Sequence, residues 1–201
     1  ITGGMSRKRT HRPASMAPIG GFLVKSLLEV VQKENIPVFN KVKVNKLLQD
    51  DEGKVIGVEA NADGLIKTIH AKAVILATGG FGASKEYMKR FRPDLVDYKT
   101  TNQPGATGDG LKLAEGVGGE LMQMDLVQVH PTVQQDNPHV YLIGEAVRGE
   151  GAILVNAEGN RFVNELNTRK IVSNAITSLP EHSAYLIFDQ GIRDHAKAIE
   201  F

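Results

Sequence analysis

Residues 42–70 constrain the fold more than any other part of the chain. Val42 to Leu48, Val55 to Ala60 and Leu65 to His70 read as strands, separated by turn clusters at Asp50-Asp51-Glu52-Gly53 and Asn61-Ala62-Asp63-Gly64. Connections this short fold a strand back antiparallel on its neighbour, so the segment reads as a β-meander. Ala73-Val74-Ile75-Leu76-Ala77 follows, apolar without alternation, as expected of a parallel strand buried on both faces. It exits at Thr78-Gly79-Gly80, where missing Cβ atoms allow a sharp turn or the close approach of a ligand.

The rest of the chain mixes helix with strand. Leu23, Leu27, Val30 and Val31 form one apolar stripe within Gly20 to Lys33, ended by Glu34-Asn35 and Pro37, which predicts a core helix. A polar, glycine-rich loop from Thr100 to Gly110 opens a short helix, Leu111 to Glu115, and Gly116, Gly118 and Gly119 close it. Asp109 in that loop is either the N-cap of the helix or a contact to a cofactor's polar edge. A hairpin is expected from Ile153 to Val163, a helix near Thr168 and a buried strand from Ala184 to Phe188. The expected class is α/β, becoming α+β in the last third, with a domain boundary near Leu121 to Leu126.

Composition removes several function classes. At 201 residues with 41% apolar and 23% charged residues, the chain is long enough to bury a core. A net charge of +1 gives no general attraction to nucleic acid or membrane, and 5% aromatics offers few rings for base stacking. The basic run Arg7-Lys8-Arg9-Thr10-His11-Arg12-Pro13 therefore reads as a loop. Zero cysteines exclude disulfides, thiolate catalysis and iron–sulfur or zinc–cysteine ligation within this chain, and fit a cytoplasmic protein. No apolar run approaches the roughly 20 residues of a membrane-spanning helix.

Gln128 to Arg169 carries the chemistry. Gln128-Val129-His130-Pro131-Thr132 comes first, then Glu145-Ala146-Val147-Arg148, then Asn167-Thr168-Arg169. Glu145 and Arg148, three apart, share one face of a helical turn. Two cations, a carboxylate and an imidazole are ingredients for holding a dicarboxylate and delivering a proton to it. A structural Arg–Glu–Arg network is the competing reading of the same residues.

These motifs resemble the flavoprotein fumarate reductases of the fumarate reductase/succinate dehydrogenase family, the soluble flavocytochrome c type in particular, along nearly the whole chain. The resemblance implies FAD as cofactor, with contacts near Lys43, at Thr78 and Gly79, and at Asp109. It implies a small dicarboxylate substrate held by His130 and the residue at Gly144, and Arg169 as the acid that protonates it. Glu145 and Arg148 match a relay that returns the proton, and Gln128 supports the arginine. It further implies residues 1–124 as part of an FAD-binding domain and 125–201 as the start of a substrate-capping domain.

Two positions depart from the pattern. Gly144 stands where a Thr commonly bonds a substrate carboxylate, and Thr2 where a Met commonly shields the flavin. Gly144 therefore predicts relaxed selectivity. Other α,β-unsaturated acids such as urocanate remain open as substrates, although urocanate reductases carry tyrosine at the His130 position. A non-catalytic flavoprotein-like module is the alternative from another class. Members of the family are more than twice as long, so the chain reads as an internal fragment, inactive and flavin-free alone, whose four catalytic-type side chains need not converge. Self-association through uncovered apolar faces is also expected. The electron donor is not legible from these residues.

Overall fold

A computed structural model describes residues 5–7, 9, 11–15, 17, 19–136 and 140–194. Thr2 lies outside the described residues, as do Lys8 and Thr10 of the basic run. The chain divides into two compact units, Pro37–Val127 and Ile1–Ile36 with Gln128–Phe201.

The first unit is built on the meander. Strands β1 (Val42–Gln49), β2 (Val55–Ala62) and β3 (Leu65–His70) pair antiparallel in that order. Asp63 and Gly64, both at positive φ, form the two-residue β2–β3 turn whose twist matches the strands, and Asn61 Oδ1 accepts from the Gly64 N–H. Asp50 caps the other turn, its carboxylate accepting from the Glu52 and Lys54 N–H groups. In β1 the register slips between Val44 and Lys46, so Asn45 and Lys46 both face water and Leu47 turns inward.

Ala73–Ala77 corrects the sequence reading. It forms no strand and joins no sheet among the described residues, and Ile75 is 90% exposed. An all-apolar run shows suitability for burial on both faces, but pairing requires flanking strands, and none described here flanks it. The chain then enters α2 (Lys85–Phe91), which the sequence reading missed; Ser84 caps it by accepting from the Tyr87 N–H. Tyr87 stacks on Phe91 and tilts against Phe81, and its hydroxyl donates to Glu115 at the end of α3 (Asp109–Glu115). These rings fix the loop that opens α3.

In the second unit, α1 (Ile19–Lys33) forms where its period predicts, but it buries no residue. Leu23, Leu27 and Val30 are each about half exposed or more, so the expected core helix is an open one. The core lies further along the chain. Leu154, Val172 and Ile176 bury one cluster against Phe162 and Val163, while Val147 and Ala152 bury another against Ile143 and Phe188. Their elements are α4 (Glu145–Gly149), β6 (Ile153–Val155), α5 (Arg169–Thr177) and β7 (Tyr185–Ile187). The expected 153–163 hairpin shrinks to one bridge, Val155 to Arg161, because β6 pairs along its length with β7. β7 is itself half exposed rather than buried, with Tyr185 and Ile187 turned outward.

Candidate active site

A short hairpin, β4 (Val133–Gln134) with β5 (Tyr141–Leu142), brings the His130 segment back beside the start of α4. Thr132 locks it there: its Oγ1 donates to the Ile143 carbonyl at 2.6 Å, and the Ile143 N–H donates to the Thr132 carbonyl at 3.1 Å. Ser173 on α5 donates to the Val129 carbonyl, tying the helix that begins with Arg169 to the same segment. The topology thus brings together His130, Glu145, Arg148 and Arg169, 39 positions apart from first to last.

Glu145 is the hub. Its Oε1 accepts from Arg169 Nε and from His130 Nε2 (3.2 Å), and Arg148 Nη2 lies 4.0 Å away, too far for a direct hydrogen bond. Burial pushes the Glu145 carboxyl up, but the Arg169 bond, its own backbone N–H and the nearby charges outweigh it, leaving the pKa below 4.5. Glu145 is therefore ionised at neutral pH. Arg169 also donates through Nη1 to Gln128 Oε1, and its Nη2 has no partner among the described residues. With 41% of its side chain exposed, Arg169 is the member of the group open to a reactant.

His130 is mostly buried. Burial lowers its pKa, Glu145 raises it and Arg169 lowers it again, for a net position below 6.5. At neutral pH the ring is uncharged, and its contact with Glu145 is a hydrogen bond rather than an ion pair. The ionised Glu145 selects the Nε2–H tautomer, and Nδ1 then accepts from the Thr132 N–H at 3.2 Å.

Arg148 is the largest fully buried side chain described. Burial lowers its pKa, with Glu145 acting to raise it and Arg169 to lower it. Its Nη1 donates to the Glu165 carbonyl at 2.7 Å, whereas Nε and Nη2 have no hydrogen-bond partner among the described residues. A buried cation so sparsely bonded costs on the order of several kcal/mol. Glu165 is a buried carboxylate that the sequence reading missed; its spacing of four from Arg161 was the available signal.

Gly144 is buried as the N-cap of α4, at φ −66° and ψ 165°, and gives no side-chain cap.

The cofactor-side residues lie in the other unit. The N-cap of α3 is Gly108 rather than Asp109, which corrects one of the two readings of that aspartate. Asp109 opens the helix with an exposed carboxylate that accepts from Thr107 Oγ1 at 2.9 Å. The Gly108 N–H donates to the Gly80 carbonyl, and a Cβ at Gly110 would overlap Thr78 Oγ1. Thr78-Gly79-Gly80 and Gly108-Asp109-Gly110 therefore lie side by side. Gly79 and Gly80 present bare backbone to open space. Bare backbone beside an exposed hydroxyl and carboxylate fits a cofactor with a hydroxyl-rich, hydrogen-bonding edge such as FAD. Lys43 on β1 pairs with Asn61 on β2, and no hydrogen bond or ion pair joins it to this cradle among the described residues.

This chain belongs to the FAD binding domain family, which matches residues 2–197. Among individual relatives it is 44% identical over 200 residues to the NADH:fumarate oxidoreductase of Klebsiella pneumoniae (strain 342), covering 99% of this chain and 21% of that protein. It is 43% identical over 203 residues to the fumarate reductase (cytochrome) of Shewanella frigidimarina, covering 100% and 35%. The open conformation of a flavocytochrome c3 fumarate reductase superposes with a TM-score of 0.78 at 38% identity, over 95% of this chain and 34% of that one. The fold is thus the α/β fold of FAD-binding fumarate reductases, and the chain spans about a fifth to a third of the length of these relatives.

Proposed function

We propose that in the full-length protein this site reduces fumarate, or a closely related α,β-unsaturated carboxylate, to the saturated acid. The observation that carries the reading is the sharing of Glu145 Oε1 by Arg169 and His130, with buried Arg148 4.0 Å behind it. FAD, when bound, supplies the hydride for one alkene carbon. Arg169 delivers a proton to the neighbouring carbon from its unpartnered Nη2. A guanidinium is ordinarily permanently protonated, so this works only if the proton is returned at once. A proton taken up from solvent passes by way of Arg148 to Glu145, which is ionised at rest and carries it only in transit, and Glu145 hands it on to Arg169, restoring the guanidinium. His130 holds a substrate carboxylate by exchanging its long 3.2 Å bond to Glu145 for one to the substrate. Thr78, Gly79, Asp109 and Lys43 would hold the FAD.

Residues to about 124 would belong to the FAD-binding domain and 125–201 would begin the capping domain. The cysteine-free sequence fits a cytoplasmic setting, which fractionation of the full-length protein tests. Alone, the 201-residue chain should neither retain flavin nor turn over fumarate.

Steady-state fumarate reduction by full-length protein carrying Arg169→Ala tests the core of the reading. Loss of at least about a hundredfold in kcat is expected for removal of a general acid. Unchanged turnover would remove Arg169 from the mechanism, and an inert parent protein would remove fumarate as substrate.

A further inference from the structure

Among the described residues, the proposed mechanism leaves the buried carboxylate of Glu165 without a role. Glu165 is 3% exposed, makes no hydrogen bond or ion pair with His130, Glu145 or Arg169 among the described residues, and lies in the turn before α5. Its carboxylate is held at three points: Oε1 accepts from the Leu154 N–H at 2.9 Å and Arg161 Nε at 3.1 Å, and Oε2 from Arg161 Nη2 at 2.7 Å. The two arginine bonds form a planar fork, the geometry that fixes a carboxylate most firmly. Leu154 belongs to β6 and is itself almost fully buried, so the third bond staples the turn onto the core.

The same residue's backbone carbonyl then accepts the one hydrogen bond that the Arg148 guanidinium makes among the described residues, at 2.7 Å. With Nε and Nη2 unbonded, that carbonyl and the packing around it decide where Nη2 points. Nη2 is the atom 4.0 Å from Glu145. A shift of the 164–166 turn by a fraction of this gap would change the separation across which the proposed relay works. Glu165 also places a negative charge near a cation that burial works to neutralise. Arg161, by contrast, has 59% of its side chain exposed and is linked to the site through Glu165.

We propose that Glu165, clamped by Arg161, is a positioning residue for Arg148, fixing the buried guanidinium at the distance and charge state that proton return to Glu145 requires. The inference rests on the fumarate-reduction reading above. It makes Glu165 matter for the proton-transfer step and leaves substrate binding alone.

Full-length, flavin-loaded protein with Glu165→Gln tests it, beside wild type and Arg169→Ala in the same assay. The glutamine keeps an acceptor for the Leu154 N–H but loses the charge and the fork. A fall in kcat per bound flavin of roughly ten- to hundredfold is expected, as for a misplaced catalytic group, with the fumarate KM held within about twofold. The solvent deuterium isotope effect on kcat should rise as proton return becomes limiting. Arg161→Ala, at a side chain that is itself 59% exposed, should move both quantities the same way by less, and it decides the matter if Glu165→Gln does not fold. Unchanged kcat per flavin in whichever variant decides, or a KM that rises in step with lost activity, would overturn the proposal. If wild type does not reduce fumarate, or Arg169→Ala matches it, the functional reading fails and this inference falls with it. Wild-type activity abolished by Arg169→Ala leaves the Glu165 and Arg161 results to speak for this inference alone.

Discussion

At His130 both ring nitrogens face acceptors: Glu145 Oε1 at 3.2 Å and the Thr132 carbonyl at 2.9 Å. An imidazolium would donate to both, while the neutral Nε2–H ring keeps the Glu145 bond and accepts at Nδ1 from the Thr132 N–H. Burial nevertheless dominates and keeps the ring below its ordinary value of 6.5. The unfolded chain therefore takes up this proton before the folded one does. Stability from this residue is complete above 6.5 and is lost as pH falls from there through the folded value. Glu145 acts with the same sign in a lower window: it is held ionised in the fold, so its contribution is present above 4.5 and is lost as pH falls through its depressed value. Denaturant midpoints taken at low protein concentration should fall between pH 7.5 and 5.5, and His130→Asn should flatten that slope. A midpoint that rises toward pH 5.5 would mean the fold prefers the imidazolium.

At the scale of elements, α4 is five residues long and places Glu145 and Arg148 one turn apart, with Gly144 as an N-cap that offers no side chain. The backbone there, φ −66° and ψ 165°, is open to any L-residue. Gly144→Thr should add a capping hydroxyl worth a few tenths of a kcal/mol to the helix. Beside Glu145 it should also supply one more donor to a substrate carboxylate, lowering the fumarate KM of the full-length protein by roughly fivefold for a bond of about 1 kcal/mol. A raised KM for fumarate, with urocanate or another unsaturated acid the better substrate, would show the pocket is built for a different molecule. The sequence makes the i, i+3 pair of α4 legible because helical geometry alone sets it, and the meander legible because Asp50–Gly53 and Asp63-Gly64 specify their turns locally. Contacts set by distant segments were not legible. The 153–163 stretch looked like a hairpin because its turn residues are local, whereas β6 takes its partner from Tyr185–Ile187, some thirty residues on. The burial of Glu165 was likewise not legible, since nothing in Arg161-Phe162-Val163-Asn164-Glu165 reveals that Leu154 and Arg148 will bond to it.

At the scale of the whole molecule, the balance of buried and open apolar surface sets the behaviour of the isolated chain. α1 turns Phe22, Leu23, Leu27 and Val30 outward, β3 exposes Leu65, Ile66 and Ile69, and Ile75 and Leu76 are open on an unpaired segment. No described helix is long and apolar enough to cross a membrane, so these faces do not read as a helical membrane span. Isolated exposed apolar residues are ordinary, but whole helix and strand faces mark surfaces that bury against something. β3 adds a further hazard: an unblocked edge strand templates pairing with another chain. The 201-residue chain by itself is therefore expected to self-associate, to bind an apolar dye, and to elute without flavin absorbance. Sedimentation velocity over a tenfold or greater range of concentration checks the first of these. A monomer at every concentration, with low dye binding, would mean that these faces are covered within the chain in solution; a yellow monomer would further mean that Thr78, Gly79 and Asp109 retain FAD without the rest of the flavoprotein. Adding Lys at Leu65 and Ile69 should weaken association if β3 is the contact and leave it unchanged if α1 is, because charges along an exposed edge oppose strand pairing and have no effect on a helix face in the other unit.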